Sequence, residues 1–151
     1  MPHIEKFGLI GVTHPHSAAH LKTLNWIKQL TEVAVYDPDK SALREFREKV
    51  DARKVERVYT DLDKFLERDD VPVVFVCLRN DEAPAVITRA AEAGKHIIAE
   101  KPVARNAAEL EPALSAVEKA GVKLTVCFQN RYHPVSQDIR KLLHWRIDYQ
   151  E

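Results

Sequence analysis

The sequence has little glycine, little cysteine and no excess of either charge. Its 151 residues contain 4 glycines and 8 prolines, which excludes a collagen-like or low-complexity chain. The 23 basic residues are matched by 23 acidic ones, so neither nucleic acid nor an anionic membrane is an expected partner. No apolar run approaches the roughly 20 residues that cross a bilayer, and residues 1–6 lack the apolar core of a signal peptide.

The two cysteines, Cys77 and Cys127, each lie inside an apolar run. This placement predicts buried, reduced thiols in a cytoplasmic protein rather than a disulfide framework. Because thiols in a sheet interior are usually inert, a catalytic cysteine is not expected. The length and the 45% hydrophobic content suit one globular domain.

Short apolar runs alternate with longer amphipathic stretches along the whole chain. Strands are predicted at residues 6–10, 32–36, 57–59, 71–78, 96–99 and 123–128. Helices are predicted at residues 17–30, 41–50, 60–67, 82–93, 106–120 and 134–143, the third of them opened by a capping box at 60–63. The pattern favours an α/β fold, a doubly wound parallel sheet of about six strands with helices on both faces. The domain is expected to span residues 1–143, followed by a tail at 144–151.

In such a sheet the functional site lies beyond the carboxyl ends of the strands, so the loop after the first strand is the first candidate. A dinucleotide fingerprint, Gly-x-Gly-x-x-Gly, would begin at Gly11, but Thr13 and His16 replace its second and third glycines. Side chains at those positions hinder the approach of a pyrophosphate and the packing of helix on strand. Thr13, His14 and His16 can nonetheless donate hydrogen bonds to a phosphate, and the following helix N-terminus favours an anion.

Three later loops contribute further candidates. Asp37 ends the second strand, where a carboxylate either accepts hydrogen bonds from a ribose diol or simply ends the strand in an Asp-Pro turn. Leu78 and Asn80 follow the fourth strand. Glu100 and Lys101 follow the fifth, where a lysine can hydrogen-bond a substrate hydroxyl or carbonyl; the alternative is a surface Lys–Glu pair before a proline turn.

The remaining polar and aromatic residues of the first loop and helix are interpreted as structural. The spacing of His14, His16 and His20 matches no standard zinc pattern and no cysteine accompanies them, so no metal is expected. Trp26 and the leucines at three-residue steps along the same helix are expected in the core.

Five stretches of the sequence resemble the N-terminal nucleotide-binding domain of the glucose–fructose oxidoreductase, inositol dehydrogenase and MocA family (Gfo/Idh/MocA). The most specific is the Ala-Gly-Lys-His block that runs into Glu-Lys-Pro at 93–102. The similarity extends from about residue 5 to about residue 140, and its other parts are residues 7–11, 33–38, 73–80 and 129–134. The resemblance implies a Rossmann fold that binds a nicotinamide dinucleotide.

The resemblance also implies a role for each matching residue. Lys101 would be the catalytic lysine that contacts the reacting hydroxyl beside the nicotinamide, and Glu100 and Asn80 would line that side of the cleft. Asp37 would face the adenosine ribose, which favours NAD over NADP. Gly11 would begin the phosphate loop.

The sequence departs from the family pattern in ways that leave its function open. Only Asn80 is kept from the family's Thr-Pro-Asn-x-x-His run. The family's substrate-binding second domain, with its catalytic histidine and aspartate, is expected to be missing from these 151 residues, and the face that meets it is then free for self-association. One reading is the cofactor domain of an NAD(P)-dependent oxidoreductase acting on a sugar or polyol once a second domain is supplied. The others are a catalytically incomplete nucleotide-binding or regulatory module and a structural remnant.

Overall fold

Six parallel strands form one sheet in the order β3-β2-β1-β4-β5-β6. The structure is a computed structural model that describes residues 4–147, with side chains as far as Leu143. The strands are β1 (Lys6–Ile10), β2 (Glu32–Tyr36), β3 (Val58–Tyr59), β4 (Val73–Val76), β5 (His96–Ala99) and β6 (Leu124–Val126). The helices are α1 (Ser17–Trp26), α2 (Lys40–Lys49), α3 (Leu62–Leu66), α4 (Ala83–Glu92), α5 (Ala107–Ala120) and α6 (Pro134–Ile147).

The strands β1, β2, β4 and β5 alternate their side chains between two hydrophobic cores, one on each face of the sheet. Phe7 and Leu9 of β1 pack with α1 and α2, whereas Ile10 points to the other face and packs with α3, α4 and α5. In β4, Phe75 belongs to the first core and Val74 to the second. The predicted doubly wound sheet with helices on both faces is therefore confirmed.

The predicted elements are all present, but several of their ends differ. β1, β2 and β5 have the predicted bounds, while β3, β4 and β6 are shorter than predicted. α3 is capped by Asp61, whose side chain accepts hydrogen bonds from the amides of Asp63 and Lys64, so the predicted capping box with Thr60 as its first residue is wrong. Residues 144–147, expected to form part of a tail, continue α6, and residues 148–151 lie outside the described part of the chain.

The first helix is shorter than predicted, and Trp26 is not a core residue. α1 ends at Trp26 instead of residue 30. Leu21 and Leu24 are buried, but Trp26 is 69% exposed and lies under the ammonium group of Lys22, which is 5.4 Å from the ring centroid. Since successive helical residues turn by about 100°, a side chain two positions after a buried leucine faces away from the core.

Exposed apolar side chains are concentrated near the C-terminal end of the described residues. α6 packs against the short 3-10 helix Gln129–Tyr132 that precedes it. The large exposed side chains of this region are Phe128, Tyr132, Val135, Ile139, Leu142 and Leu143. Between residues 4 and 147, no helix is long and apolar enough to cross a bilayer.

Candidate functional site

The carboxyl edge of the sheet contains the point where the strand order reverses. β1 has β2 on one side and β4 on the other, so the chain leaves β1 towards one face of the sheet and leaves β4 towards the opposite face. The loops after these two strands therefore diverge and leave a crevice between them. In open α/β sheets this crevice is where ligands bind.

Gly11 allows the loop after β1 to lie directly against the end of β4. Its φ angle is +90°, a conformation that strongly favours glycine. A Cβ atom at this position would lie 2.2 Å from the carbonyl oxygen of Cys77 and 2.7 Å from Cδ2 of Leu78. The loop is further held by the Ser17 hydroxyl, which donates to the Gly11 carbonyl at 2.9 Å. The first glycine of the fingerprint is thus required by the fold itself.

Asp37 joins the end of β2 to the same loop. Its carboxylate is buried, with Oδ2 accepting from the Val12 amide at 2.9 Å and Oδ1 accepting from the Asp39 amide at 3.0 Å. The bond from the Asp39 amide is a turn interaction, as expected if Asp37 ends the strand in an Asp-Pro turn. Each carboxylate oxygen has a further lone pair with which to accept another hydrogen bond.

The N-terminal end of α1 faces this crevice without a side-chain cap. His16 is the N-cap residue, its side chain makes no capping hydrogen bond, and the first turn has no acidic residue. Thr13 is exposed, and His14 accepts a hydrogen bond from the His16 amide at 3.2 Å through Nδ1. Amide groups at such a helix end carry a partial positive charge, so this end can bind an anion.

A buried carboxylate links α1 to the end of β5. Glu100 Oε1 lies 2.8 Å from His16 Nδ1, and Glu100 Oε2 lies 3.0 Å from His20 Nε2. The Glu100 side chain is 2% exposed, and the His20 ring stacks on Phe75 with a centroid distance of 4.0 Å. We call these three residues, His16, His20 and Glu100, the His–Glu–His cluster. An ionised carboxylate only accepts hydrogen bonds, so both facing ring nitrogens carry protons when Glu100 is charged.

The cluster was not foreseen from the sequence because Glu100 is 80 residues or more from both histidines. A signal was nonetheless present: His16 and His20 are four residues apart, a spacing that places both rings on one face of a helix. What the sequence could not supply is the position of the β5 end relative to α1.

Burial and charge shift the pKa values around this cluster. Burial raises the pKa of Glu100, but the hydrogen bonds from His16 and His20 outweigh it, so the pKa lies below its usual value. The pKa of His14 is lowered, chiefly by burial. The pKa of the half-buried Cys127 is raised, first by burial and then by the negative charge of Glu100.

Lys101 follows the cluster at the edge of the sheet. Its Nζ is 3.8 Å from Glu100 Oε1, its side chain is 42% exposed, and its peptide bond to Pro102 is cis. Asn80 is half-buried in the loop between β4 and α4. The structure thus brings Glu100, Lys101 and His16 together, and it places Asp37 apart from them, on the other side of β1.

Both cysteines are free thiols. Cys77 is fully buried, and burial raises its pKa to about 12. Cys127 is half-buried instead of fully buried as expected. Neither thiol has the lowered pKa of a catalytic cysteine.

A parallel sheet in this order, with a glycine turn and an uncapped helix end at its switch point, defines a dinucleotide-binding type of α/β domain. The chain belongs to the oxidoreductase family with an NAD-binding Rossmann fold (GFO_IDH_MocA), whose model matches residues 5–128. The resemblance found in the sequence is therefore confirmed.

Three relatives illustrate the family. The uncharacterized oxidoreductase YrbE of Bacillus subtilis is 31% identical over 124 residues, which cover 82% of this chain and 36% of that protein. Myo-inositol 2-dehydrogenase of Thermotoga maritima is 29% identical over 127 residues, which cover 84% of this chain and 37% of that protein. The 3-ketoreductase KijD10 of Actinomadura kijaniata, solved in complex with NADP and TDP-benzene, superposes with a TM-score of 0.77 at 26% identity, over 92% of this chain and 42% of that one. The chain thus spans well under half the length of these relatives.

Proposed function

We propose that this chain is the cofactor domain of an NAD(P)-dependent oxidoreductase and binds the dinucleotide across the carboxyl edge of β2, β1, β4 and β5. The observation that carries the proposal is the N-terminus of α1, which has neither a capping side chain nor an acidic residue and adjoins the tight turn at Gly11. A diphosphate bound there would accept hydrogen bonds from the backbone amides of the first helical turn that follow Ser17, since the amides of His16 and Ser17 already donate to His14.

The two ends of the dinucleotide are assigned by the polar groups on either side of β1. Asp37 would accept hydrogen bonds from the adenosine ribose, and its charge would repel a 2′-phosphate, so NAD is preferred over NADP. Lys101, Glu100 and Asn80 would adjoin the nicotinamide. β2 and β5 are three strand spacings apart, or about 14 Å, which an extended dinucleotide can bridge.

The first loop would hold the phosphates through different groups at each position. The exposed Thr13 hydroxyl can donate directly. His14 accepts through Nδ1, so its ring proton lies on Nε2, which can donate to a phosphate. His16 uses Nδ1 for Glu100, and its Nε2 can donate to a phosphate only when the ring is doubly protonated. Leu78 would contribute an apolar contact, as it lies against Gly11.

The proposed reaction is hydride transfer to or from a sugar- or polyol-type substrate. When bound, the nicotinamide supplies the hydride acceptor or donor. Lys101 would donate a hydrogen bond to the reacting oxygen and balance the charge that develops on it. The substrate would be held by a second domain, and the T. maritima relative, a myo-inositol dehydrogenase, supports a polyol substrate. We place the protein in the cytoplasm, where free thiols stay reduced.

Calorimetric titration of the 151-residue chain with NAD and with NADP tests the proposal. We expect saturable binding, tighter for NAD, and we expect Asp37→Ala to reduce that preference. Thermal unfolding of the variant shows whether the loop held by Asp37 survives the change. Absence of binding at millimolar concentrations of both dinucleotides would overturn the proposal for this chain.

The catalytic assignment of Lys101 needs a protein that carries a substrate domain. There, Lys101→Met is expected to lower kcat by about a hundredfold or more, the range of a lost acid–base or polarising group. The affinity for the dinucleotide should change little. Unchanged turnover would remove Lys101 from the catalytic role.

A second candidate is a nucleotide-binding or regulatory module without catalysis of its own. It is favoured by one observation: the His16 side chain stands where the fingerprint has its third glycine and is held by Glu100. The exposed apolar side chains of α6 support self-association of such a module. Sedimentation velocity at rising protein concentration distinguishes a monomer from a self-associating chain. If the chain self-associates through α6, Ile139→Lys should increase the proportion of monomer.

A further inference from the structure

We propose that the His–Glu–His cluster is a binding site for a divalent transition-metal ion, with zinc as the reference ion. Each of the three residues offers one ligand atom, and these atoms lie within 4.8 Å of one another. Two imidazole nitrogens and one carboxylate oxygen form a ligand set used by zinc sites that leave a fourth position open. The proposal rests on this geometry and does not depend on dinucleotide binding.

The distances in the cluster are close to those that a metal ion requires. Ligand atoms around a tetrahedral zinc ion are roughly 3.3 Å apart, because the bonds to nitrogen and oxygen are about 2.0–2.1 Å long. Glu100 Oε1 lies 2.8 Å from His16 Nδ1 and Glu100 Oε2 lies 3.0 Å from His20 Nε2, while one atom from each residue falls within 4.8 Å of the other two. Small rotations of the side chains would replace the two shared protons with one metal ion.

The surrounding structure holds the ligands in place before any ion arrives. The Glu100 amide donates to the Val76 carbonyl at 2.8 Å, which fixes the ligand at the end of the sheet. The His20 ring is stacked on Phe75. His20 lies in α1, one turn after the N-cap residue His16. Restrained ligands of this kind lose little conformational freedom when they bind.

Charge also favours a cation at this position. The carboxylate of Glu100 is buried, and burying a charge is unfavourable unless it is well paired. Its nearest cationic partner among the described residues outside the cluster is Lys101, at 3.8 Å. Because the Lys101 side chain is 42% exposed and flexible, it can move into solvent when a divalent ion takes its place.

The chemistry of the ligands selects the class of ion. Magnesium and calcium prefer sites made of oxygen ligands, whereas imidazole suits zinc, copper, iron and nickel. The site should therefore take Zn²⁺ and reject Mg²⁺. Cys127 is a half-buried free thiol and is not one of the three ligands.

Calorimetric titration of the metal-free 151-residue chain with ZnCl₂, in the absence of dinucleotide, is the decisive experiment. We expect one zinc ion per chain and no comparable binding of Mg²⁺. His16→Asn and His20→Gln each keep an N–H near the position of the lost ring nitrogen but remove the ligand. Each should weaken binding by more than the roughly tenfold to hundredfold seen when outer-shell partners are lost, and Glu100→Gln should do the same.

Two further variants test whether zinc binding depends on the three proposed ligands and on the charge beside them. His14→Asn is the matched control, because it removes a neighbouring histidine that is outside the cluster and retains an acceptor for the His16 amide; its zinc affinity should equal that of the wild type. Lys101→Met removes the competing ammonium group and should tighten zinc binding severalfold. Circular dichroism of the metal-free variants confirms that each one folds.

The results that overturn the proposal are equally definite. They are no stoichiometric zinc binding by the wild type, equal binding of Mg²⁺, or wild-type affinity in the folded His20→Gln variant. Equal weakening by His14→Asn and His20→Gln would also overturn it, since the ion would then be bound by the loop in general.

Discussion

His16 and Glu100 are 84 residues apart in the chain, yet their side chains meet at 2.8 Å at the carboxyl edge of the sheet. This contact connects the loop that follows the first strand to the Glu-Lys-Pro turn that follows the fifth. The two segments with the clearest sequence signals are thus in direct contact, and a substitution in one is expected to alter the conformation or stability of the other.

Loss of the Glu100 carboxylate should destabilise the metal-free protein. Glu100→Ala leaves two imidazole N–H groups without their acceptor, which should lower the free energy of unfolding by about 1–3 kcal/mol in urea titrations. Since the pKa of folded Glu100 is below its usual value of 4.5, the carboxylate stabilises the fold above that pH, and the difference between wild type and variant should shrink as the pH falls further.

The matched control for this change is Glu45→Ala. Glu45 pairs with Lys49 on the exposed face of α2, and exposed pairs contribute about 0.5 kcal/mol or less. Equal destabilisation by the two variants would show that the Glu100 hydrogen bonds contribute nothing special to the fold.

Gly11→Ala should be more damaging than the same change at Gly121. The Cβ of the alanine would collide with the Cys77 carbonyl oxygen, and the alanine would also have to adopt the positive φ angle of Gly11. We expect a loss of more than about 2 kcal/mol, the sum of left-handed strain and overpacking. Gly121→Ala is the control, because φ is +66° there but the space is open, and strain alone costs about 1–2 kcal/mol. Thermal unfolding compares the two, and similar losses would contradict the close approach.

Arg68→Ala should reduce stability without altering the proposed dinucleotide site. Arg68 binds both carboxylate oxygens of Glu32, at 2.7 and 3.1 Å, and both of Asp70, at the opposite edge of the sheet from the site. Because both Arg68 and Glu32 are largely buried and Lys6 Nζ, 3.2 Å from Glu32 Oε2, stays as a partner, we expect a loss of about 1–3 kcal/mol from the hydrogen bonds that the buried carboxylate no longer receives.

The same pair gives a dependence on pH. Arg68 is the main cause of the lowered pKa of Glu32. The ion pair between Arg68 and Glu32 therefore stabilises the fold fully above pH 4.5, and this stabilisation is lost as the pH falls through the lowered pKa of Glu32. Arg68→Ala should flatten this acid dependence in chemical denaturation. A steeper dependence in the variant, or a changed affinity for NAD, would contradict the assignment.

Cys127 should respond chemically to Glu100. In a Cys77→Ser background, the remaining thiol should react slowly with a disulfide reagent at mildly alkaline pH, because its pKa is raised and the thiolate is the reactive form. Adding Glu100→Gln removes the nearby charge and should accelerate labelling, followed by absorbance. In a Cys127→Ser background, Cys77 should stay unreactive until the protein unfolds. Unchanged labelling of Cys127 would argue against this contact.

Strand positions were predictable because the spacing and the run length of apolar residues are local properties of the sequence. The strands β1, β2 and β5 have the predicted bounds. The alternation of strand and helix, repeated six times along the chain, was enough to predict the parallel doubly wound sheet. Gly11 was also predictable, since it follows the first strand directly and fills the first glycine position of the dinucleotide fingerprint.

Side-chain partners across the sheet were not predictable. Whether Glu100 meets His16, His20 or solvent depends on the distance between α1 and β5, which no local pattern reports. Trp26 was misplaced for a related reason: large aromatic residues are usually buried, and its position relative to the core depends on where α1 ends.

The two edges of the sheet determine how copies of this chain can meet. β3 has two residues and β6 has three, so each border offers few unpaired backbone groups to another strand. Short edges of this kind discourage growth of a sheet from one molecule into the next. Aggregation by strand addition is therefore disfavoured, and association between copies should proceed through helical side chains.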